Sequence, residues 1–222
     1  MESTDTAAPA APPHPAQNTP ARPAKVFGPR CLVTLLDLEA DQRILFAGHD
    51  DSLVRSARRR GALPVNALPD PRTGHLPLED GSVHHVVVAT ADAAWWAPPL
   101  SAEAARVAAP GATLLVGAAS RFRFPLRTGA QTPASGRRLL GAAGFGGVRA
   151  YGVRHGFHDP RFLVPLDHTG ARTWFLTSAS MPHRPYQARL AGLLSLLPRT
   201  GLDRAYFPNL LFTARRERGP QC

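Results

Sequence analysis

Three places in this chain carry residue types that can do chemistry. The first is His155, followed by His158 and Asp159. A histidine beside a carboxylate can take a proton from a hydroxyl or an amine near neutral pH. The same residues also suit a polar surface loop. The second is Thr90 with Asp92, just past an apolar run, where they could line a substrate site; Asp92 could equally cap a helix. The third is the run Gly48, His49, Asp50, Asp51 and Ser52 between an apolar stretch and an Arg-rich one. A glycine there lets a backbone approach a ligand closely. The polar residues after it could equally cap the next helix and offset its dipole. Asp70, between two prolines, could meet a ligand or serve as a turn residue. His84 and His85 stand next to each other in an apolar run, and Trp95 and Trp96 could form an aromatic wall or core packing.

No phosphate loop, Ser-His-Asp phrase or zinc spacing occurs. The two cysteines, Cys31 and Cys222, lie far apart and suit a reducing compartment. No metal site is expected. No apolar run approaches the roughly 20 residues that cross a bilayer. The first residues lack the basic start and apolar core of a secretory signal, so the expectation is a cytoplasmic protein. The net charge of +10 is almost all arginine, with Lys25 the single lysine. These arginines are scattered and not interleaved with aromatics, so nucleic acid is not the expected partner.

The elements that must position these residues follow from patterning. Residues 1–25 hold Ala, Pro, Thr and Ser and too few large apolar groups to offset chain entropy, so they are read as a disordered tail. Cys31 to Leu38 has helical spacing. Strands are expected at Ile44–Ala47, weakly at Ala62–Leu68, and at Val83–Ala89, Ala112–Ala118, Val148–Val153 and Asn209–Arg215. Helices are expected at Ser52–Arg60, ending at Gly61, through Glu103–Ala108, stopped by Pro110-Gly111, and at Pro133–Ala143. This alternation predicts an α/β fold with a Rossmann-like, mostly parallel sheet covered by helices on both faces. Residues 26–154 and 207–216 form its core. Residues 155–206 break the alternation. They read as a loop followed by helices near Ala171–Ser178 and Tyr186–Leu197, a helical insertion before the last strand that caps the carboxyl edge.

Four phrases, in order, resemble the class I S-adenosylmethionine-dependent methyltransferase superfamily. LLDLEADQRILFAG (Leu35–Gly48) resembles its lead-in helix and first strand. LPLEDGSVHHVVVA (Leu76–Ala89) resembles its "LPF-x-DGSFDVVV" phrase. EAARVAAPGATLLV (Glu103–Val116) resembles "E-x-x-RVLRPGG-x-LLV", and LLGAAGFGGVRAYGV (Leu139–Val153) resembles "L-x-x-AGF-x-x-V". The resemblance implies S-adenosylmethionine as cofactor and a small-molecule substrate. On such a fold, Gly48, His49, Asp50, Asp70 and Thr90 are the expected cofactor-binding residues, and His155, His158 and Asp92, by their place in loops just past strand ends, the expected catalytic ones. Against the family's "VLDLGCGTG", Phe46 stands for the acid, His49 for the residue after the first glycine, and Asp50 and Ser52 for later glycines. Asn66 and Asp70 are the polar residues nearest the end of the second strand. Two other readings stay open: an inactive methyltransferase-fold protein that binds a partner protein, and a fold repurposed for a cofactor-free reaction.

Overall fold

A computed structural model describes residues 32, 35–47, 51–90, 93–121, 129–157, 160–176, 189 and 206–217. Seven strands form one sheet. They are β1 (Arg43–Phe46), β2 (Leu63–Asn66), β3 (Val83–Val88), β4 (Ala108–Ala119), β5 (Phe145–His155), β6 (Pro160–Pro165) and β7 (Asn209–Arg216), in the spatial order β2-β1-β3-β4-β7-β5-β6. β1 pairs in parallel with β2 and β3, and β3 with β4. β7 runs antiparallel to both β4 and β5, and β6 antiparallel to β5. β1 to β5 therefore share one direction, and the sheet is mixed at one side.

Apolar residues alternate in depth along the central strands, and both faces are covered. Leu45, Val86, Val88, Leu114, Val116, Leu210 and Phe212 point to one core layer. Ile44, Phe46, Val87, Leu115 and Leu211 point to the other. That is the pattern of strands buried on both sides. Four helices are described: α1 (Asp51–Arg58), α2 (Pro98–Val107), α3 (Pro133–Ala142) and α4 (Thr169–Trp174). α1 buries Leu53 and Ala57 in the second layer, with Leu32 and Leu36 of the lead-in segment beside them. α2 and α3 cover the first layer through Leu100, Ala104, Val107 and Leu140.

Local chemistry sets the helix ends. At the end of α1, Ala62 N–H donates to the Ala57 carbonyl at 3.2 Å and Gly61 N–H to the Arg58 carbonyl at 3.0 Å. This paired closure needs a left-handed residue, and Gly61 supplies it with φ of 82°. α3 starts on a capping box: Thr132 Oγ1 accepts from Ser135 N–H at 3.1 Å, and Ser135 Oγ accepts from Thr132 N–H at 2.8 Å.

The structure changes several expectations. The lead-in is helical at Leu32, but Leu35 and Leu36 form a turn and the chain is irregular by Leu38. β4 starts directly after α2 and runs through Pro110-Gly111. Gly111, at φ of 85°, lets the chain pass an irregularity in the β3 register without leaving the sheet. Pro160–Pro165, expected as loop, is a strand that extends the sheet beyond β5. α4 overlaps the next expected helix, Ala171–Ser178, but starts earlier, at Thr169, and Phe175 just after it packs on Phe162 and Phe207 with ring centroids 5.1 Å and 5.5 Å apart. The described part of the insertion thus widens the sheet and covers one face. The helix expected at Tyr186–Leu197 lies outside the described residues, apart from Arg189.

β2 is an edge strand. Leu63 N–H donates to the Gln42 carbonyl at 2.9 Å. By the alternation of a parallel ladder, Pro64 then faces away from β1. A proline has no N–H to offer there, which protects the edge from pairing with another strand.

Candidate functional site at the carboxyl edge

In a parallel sheet, ligands bind where the strands end and the loops begin. Here that edge is formed by Phe46 and Ala47 after β1, Asn66 after β2, Ala89 and Thr90 after β3, Ala119 and Ser120 after β4, and His155 after β5. β1 and β3 sit side by side, and Ala47 N–H still donates to the Val87 carbonyl at 2.9 Å. The ends of β1, β2 and β3 therefore form one continuous rim.

Each expected site residue has a definite standing on this rim. Thr90 is half-buried in the bend after β3. His155 closes β5, opposite Pro160; its backbone is on the edge and its side chain is not described. Gly48, His49, Asp50, Asp92 and His158 lie outside the described residues, as does Asp159. Asp70 is in the loop after β2, and its Oδ1 accepts from Arg72 N–H at 2.7 Å and from Thr73 N–H at 3.2 Å. Its peptide groups close the same turn through His75 and Gly74. That carboxylate oxygen holds a turn together. Asn66, by contrast, is exposed at the very end of β2.

Trp95 and Trp96 are core residues, both buried. The Trp96 indole N–H donates to the Gly117 carbonyl at 2.9 Å, and its ring meets Phe212 edge-on with centroids 5.1 Å apart. Gly117 is glycine for a steric reason. A methyl group on it would stand 2.7 Å from the Thr90 carbonyl oxygen and 2.9 Å from the Phe157 ring. Phe157, which follows β5, is thereby seated against the ends of β3 and β4. Gly136 and Gly152 make equivalent seats for Phe212 and Phe207.

A buried polar group at the end of β4 has no counterpart among the residues singled out by sequence. Ser120, Gln131 and Asn209 are all buried there. Gln131 N–H donates to the Ala119 carbonyl at 2.8 Å, and the Gln131 carbonyl accepts from Arg121 N–H at 2.9 Å. The Gln131 side chain donates to the Gly129 carbonyl at 3.0 Å and accepts from Ser135 Oγ at 2.8 Å. These bonds tie the start of α3 to the sheet rim. Isolated polar residues 11 positions apart carry no sequence pattern that would reveal this. Among the described residues, no group of three His, Cys, Asp or Glu side chains could hold a metal ion. No described helix is long and apolar enough to cross a membrane.

Four parallel strands ordered β2-β1-β3-β4, then a reversed strand inserted between β4 and β5, make a distinctive topology. Solved structures share it. A chain of the Haloferax volcanii Trm112 methyltransferase activator complex superimposes with a TM-score of 0.52 at 15% identity, over 87% of this chain and 90% of that one. An S-adenosylmethionine-dependent methyltransferase from Archaeoglobus fulgidus gives 0.51 at 11% identity, over 84% and 94%. This chain has the class I methyltransferase fold. The [4+2]-cyclase SpnF shares that fold, with a TM-score of 0.50 at 15% identity over 86% of this chain and 80% of that one. No protein-family model and no curated protein sequence matches the chain.

The methyltransferase fold raises the question of its cofactor. The family resemblance implies an acidic group at the end of the second strand, here β2, to hold the ribose hydroxyls of S-adenosylmethionine. Asn66 is there, exposed, with no hydrogen bond from the described residues to its amide. An amide can both donate to and accept from a diol, though without a carboxylate's charge. Among the described residues, Asn66 fits the ribose contact, as a neutral group where the resemblance implies a charged one.

Proposed function

We propose that this methyltransferase-fold chain transfers a methyl group from S-adenosylmethionine to a small molecule. The continuous rim from Asn66 through Ala47 to Thr90 is the observation that carries this reading. The bound cofactor supplies an electrophilic methyl on a sulfonium. Asn66 holds the ribose, and Thr90 lines the rim between cofactor and acceptor. Gly48, His49 and Asp50 complete the loop after β1. His155, His158 and Asp92 supply the base that takes the acceptor's proton. Most of the acceleration comes from holding the acceptor in line with the methyl. A small-molecule acceptor, a cytoplasmic setting and a role in biosynthesis belong to this proposal.

The amide predicts a specific affinity pattern. Asn66→Asp restores a charged acceptor and tightens S-adenosylhomocysteine binding about three- to tenfold, because charge-assisted hydrogen bonds are roughly twice as strong as neutral ones. Asn66→Ala weakens it about fivefold, for loss of roughly 1 kcal/mol. Titration calorimetry measures both. Equal affinities in all three proteins would remove Asn66 from the site.

A second reading has its own support. The loop after β1 lacks the family's later glycines, and SpnF shows that this fold also occurs in a cyclase. In that reading the rim binds a small molecule or a partner protein without methyl transfer. S-adenosylhomocysteine binding that fails at millimolar concentration in both the native chain and Asp50→Gly would favour it.

A further inference from the structure

The opposite edge of the sheet carries a cleft of about 260 Å³ that the methyltransferase reading leaves unused. It lies between the lead-in segment before β1 and the starts of β3 and β4, with Arg215 near the end of β7 on one wall. Asp37 and Glu39 come from the lead-in; His84 and Arg215 come from the strands. Among the described residues Asp37, Glu39 and Arg215 are in no salt bridge.

Hydrogen bonds fix what the two histidines offer. Arg43 N–H donates to His84 Nδ1 at 3.2 Å, so a neutral His84 carries its proton on Nε2 and is a donor. The Gln42 side chain is oriented by Glu39: its oxygen accepts from Glu39 N–H at 3.1 Å and its NH2 donates to Glu39 Oε2 at 3.2 Å. That oxygen also lies 2.7 Å from His85 Nε2, which must then be the donor. His85 Nδ1 is left as an acceptor, buried and without a partner among the described residues, in a residue only 5% exposed. An unpaired buried acceptor is costly to keep.

The cleft thus has acceptors on one side and donors on the other. Asp37 and Glu39 suit an ammonium group. Arg215 and His84 Nε2–H suit a carboxylate. At about 260 Å³ the space is below the range of drug-sized pockets, so the ligand is small. We propose that this cleft is a second binding site, on the edge away from the methyl-transfer rim, for a small zwitterion of the α-amino-acid type.

The test uses the full chain with 15N-labelled histidine. Each of the twenty standard amino acids is titrated singly, and the imidazole nitrogens of His84 and His85 are followed by NMR. At least one amino acid is expected to shift His84 Nε2 saturably. Ethanolamine, with the ammonium alone, and lactate, with the carboxylate alone, are expected to bind at least about tenfold more weakly. Asp37→Asn and Arg215→Gln, both at surface positions, are each expected to weaken the amino acid at least about tenfold while leaving the thermal midpoint unchanged. The proposal is overturned if no amino acid moves the His84 signal at about 20 mM, a concentration that would reveal even millimolar affinity. It is also overturned if the singly charged probes bind as well, or if neither variant changes binding.

Discussion

Glu103→Ala lowers the folding free energy by about 2–3 kcal/mol, the cost of uncoupling a half-buried ion pair and its hydrogen bonds. Glu103, on α2, accepts from Arg106 Nε at 3.0 Å and Nη2 at 2.8 Å, and from Leu76 N–H at 3.0 Å. His75 Nδ1 lies 3.0 Å from the same carboxylate. Arg106 in turn donates to the Leu76 and Leu78 carbonyls, both at 2.9 Å, and pairs with Asp80. One carboxylate and one guanidinium thus hold the whole approach to β3. Without Glu103, the Leu76 N–H loses its partner and the Arg106 fork loses its orientation. In a chain of this size the melting temperature falls by about 4–10 °C. Arg106→Ala costs a similar amount, and the double variant costs clearly less than the sum, because both break one network. Additive effects below about 0.5 kcal/mol each would show that the network contributes nothing.

Acidification is the second large effect, and His85 is its centre. Burial, with help from His84, holds its pKa down to about 4, while Asp37 acts in the other direction. An unfolded chain takes the proton near 6.5 and the folded chain only near 4. The stabilisation is therefore complete above pH 6.5 and falls as the pH drops toward 4. Between pH 7 and pH 4 it amounts to about 3 kcal/mol. Glu103 adds to the acid side. Its hydrogen bonds from Arg106 hold it at about 2, so its contribution declines as pH falls from 4.5 through 2. Urea unfolding at successive pH values measures the slope. His85→Gln keeps a donor for Gln42 but does not titrate, and it is expected to flatten the slope between pH 6.5 and 4. An unchanged slope in that variant would assign the acid sensitivity elsewhere.

These two networks show where sequence reading reaches its limit. The LPLEDG and EAAR phrases were each legible as family-like strings. Their physical connection, Arg106 to Leu76 and Leu78, spans about 30 positions and exists only after α2 turns back on the sheet. The apolar runs marked β1, β3, β4 and β7, because strands buried on both faces read as continuous Val/Leu stretches. β6 was missed because PRFLVP begins and ends in proline and shows no long alternation; it is a strand because β5 offers it a partner. Pro110-Gly111 looked like a stop. It marks an irregularity inside β4, since only the partner register shows that pairing begins at Ala108. His84 and His85 were legible as neighbours on a strand, but which one is buried depends on the lead-in segment that covers it. At the rim, Asn66 and Asp70 are the two polar residues that the sequence offers near the end of the second strand. The structure uses Asp70 Oδ1 to close a turn and leaves Asn66 exposed at the end of β2.

In the proposed function, S-adenosylmethionine binds at the carboxyl rim of this methyltransferase fold. Backbone amide NMR of the full chain, titrated with S-adenosylhomocysteine, tests it most directly. The expected result is saturable shifts at Ala47, Asn66, Ala67 and Thr90, with Gln42, His85 and Ala112 on the opposite edge unmoved. No shift at millimolar ligand, or shifts confined to the opposite edge, would contradict it.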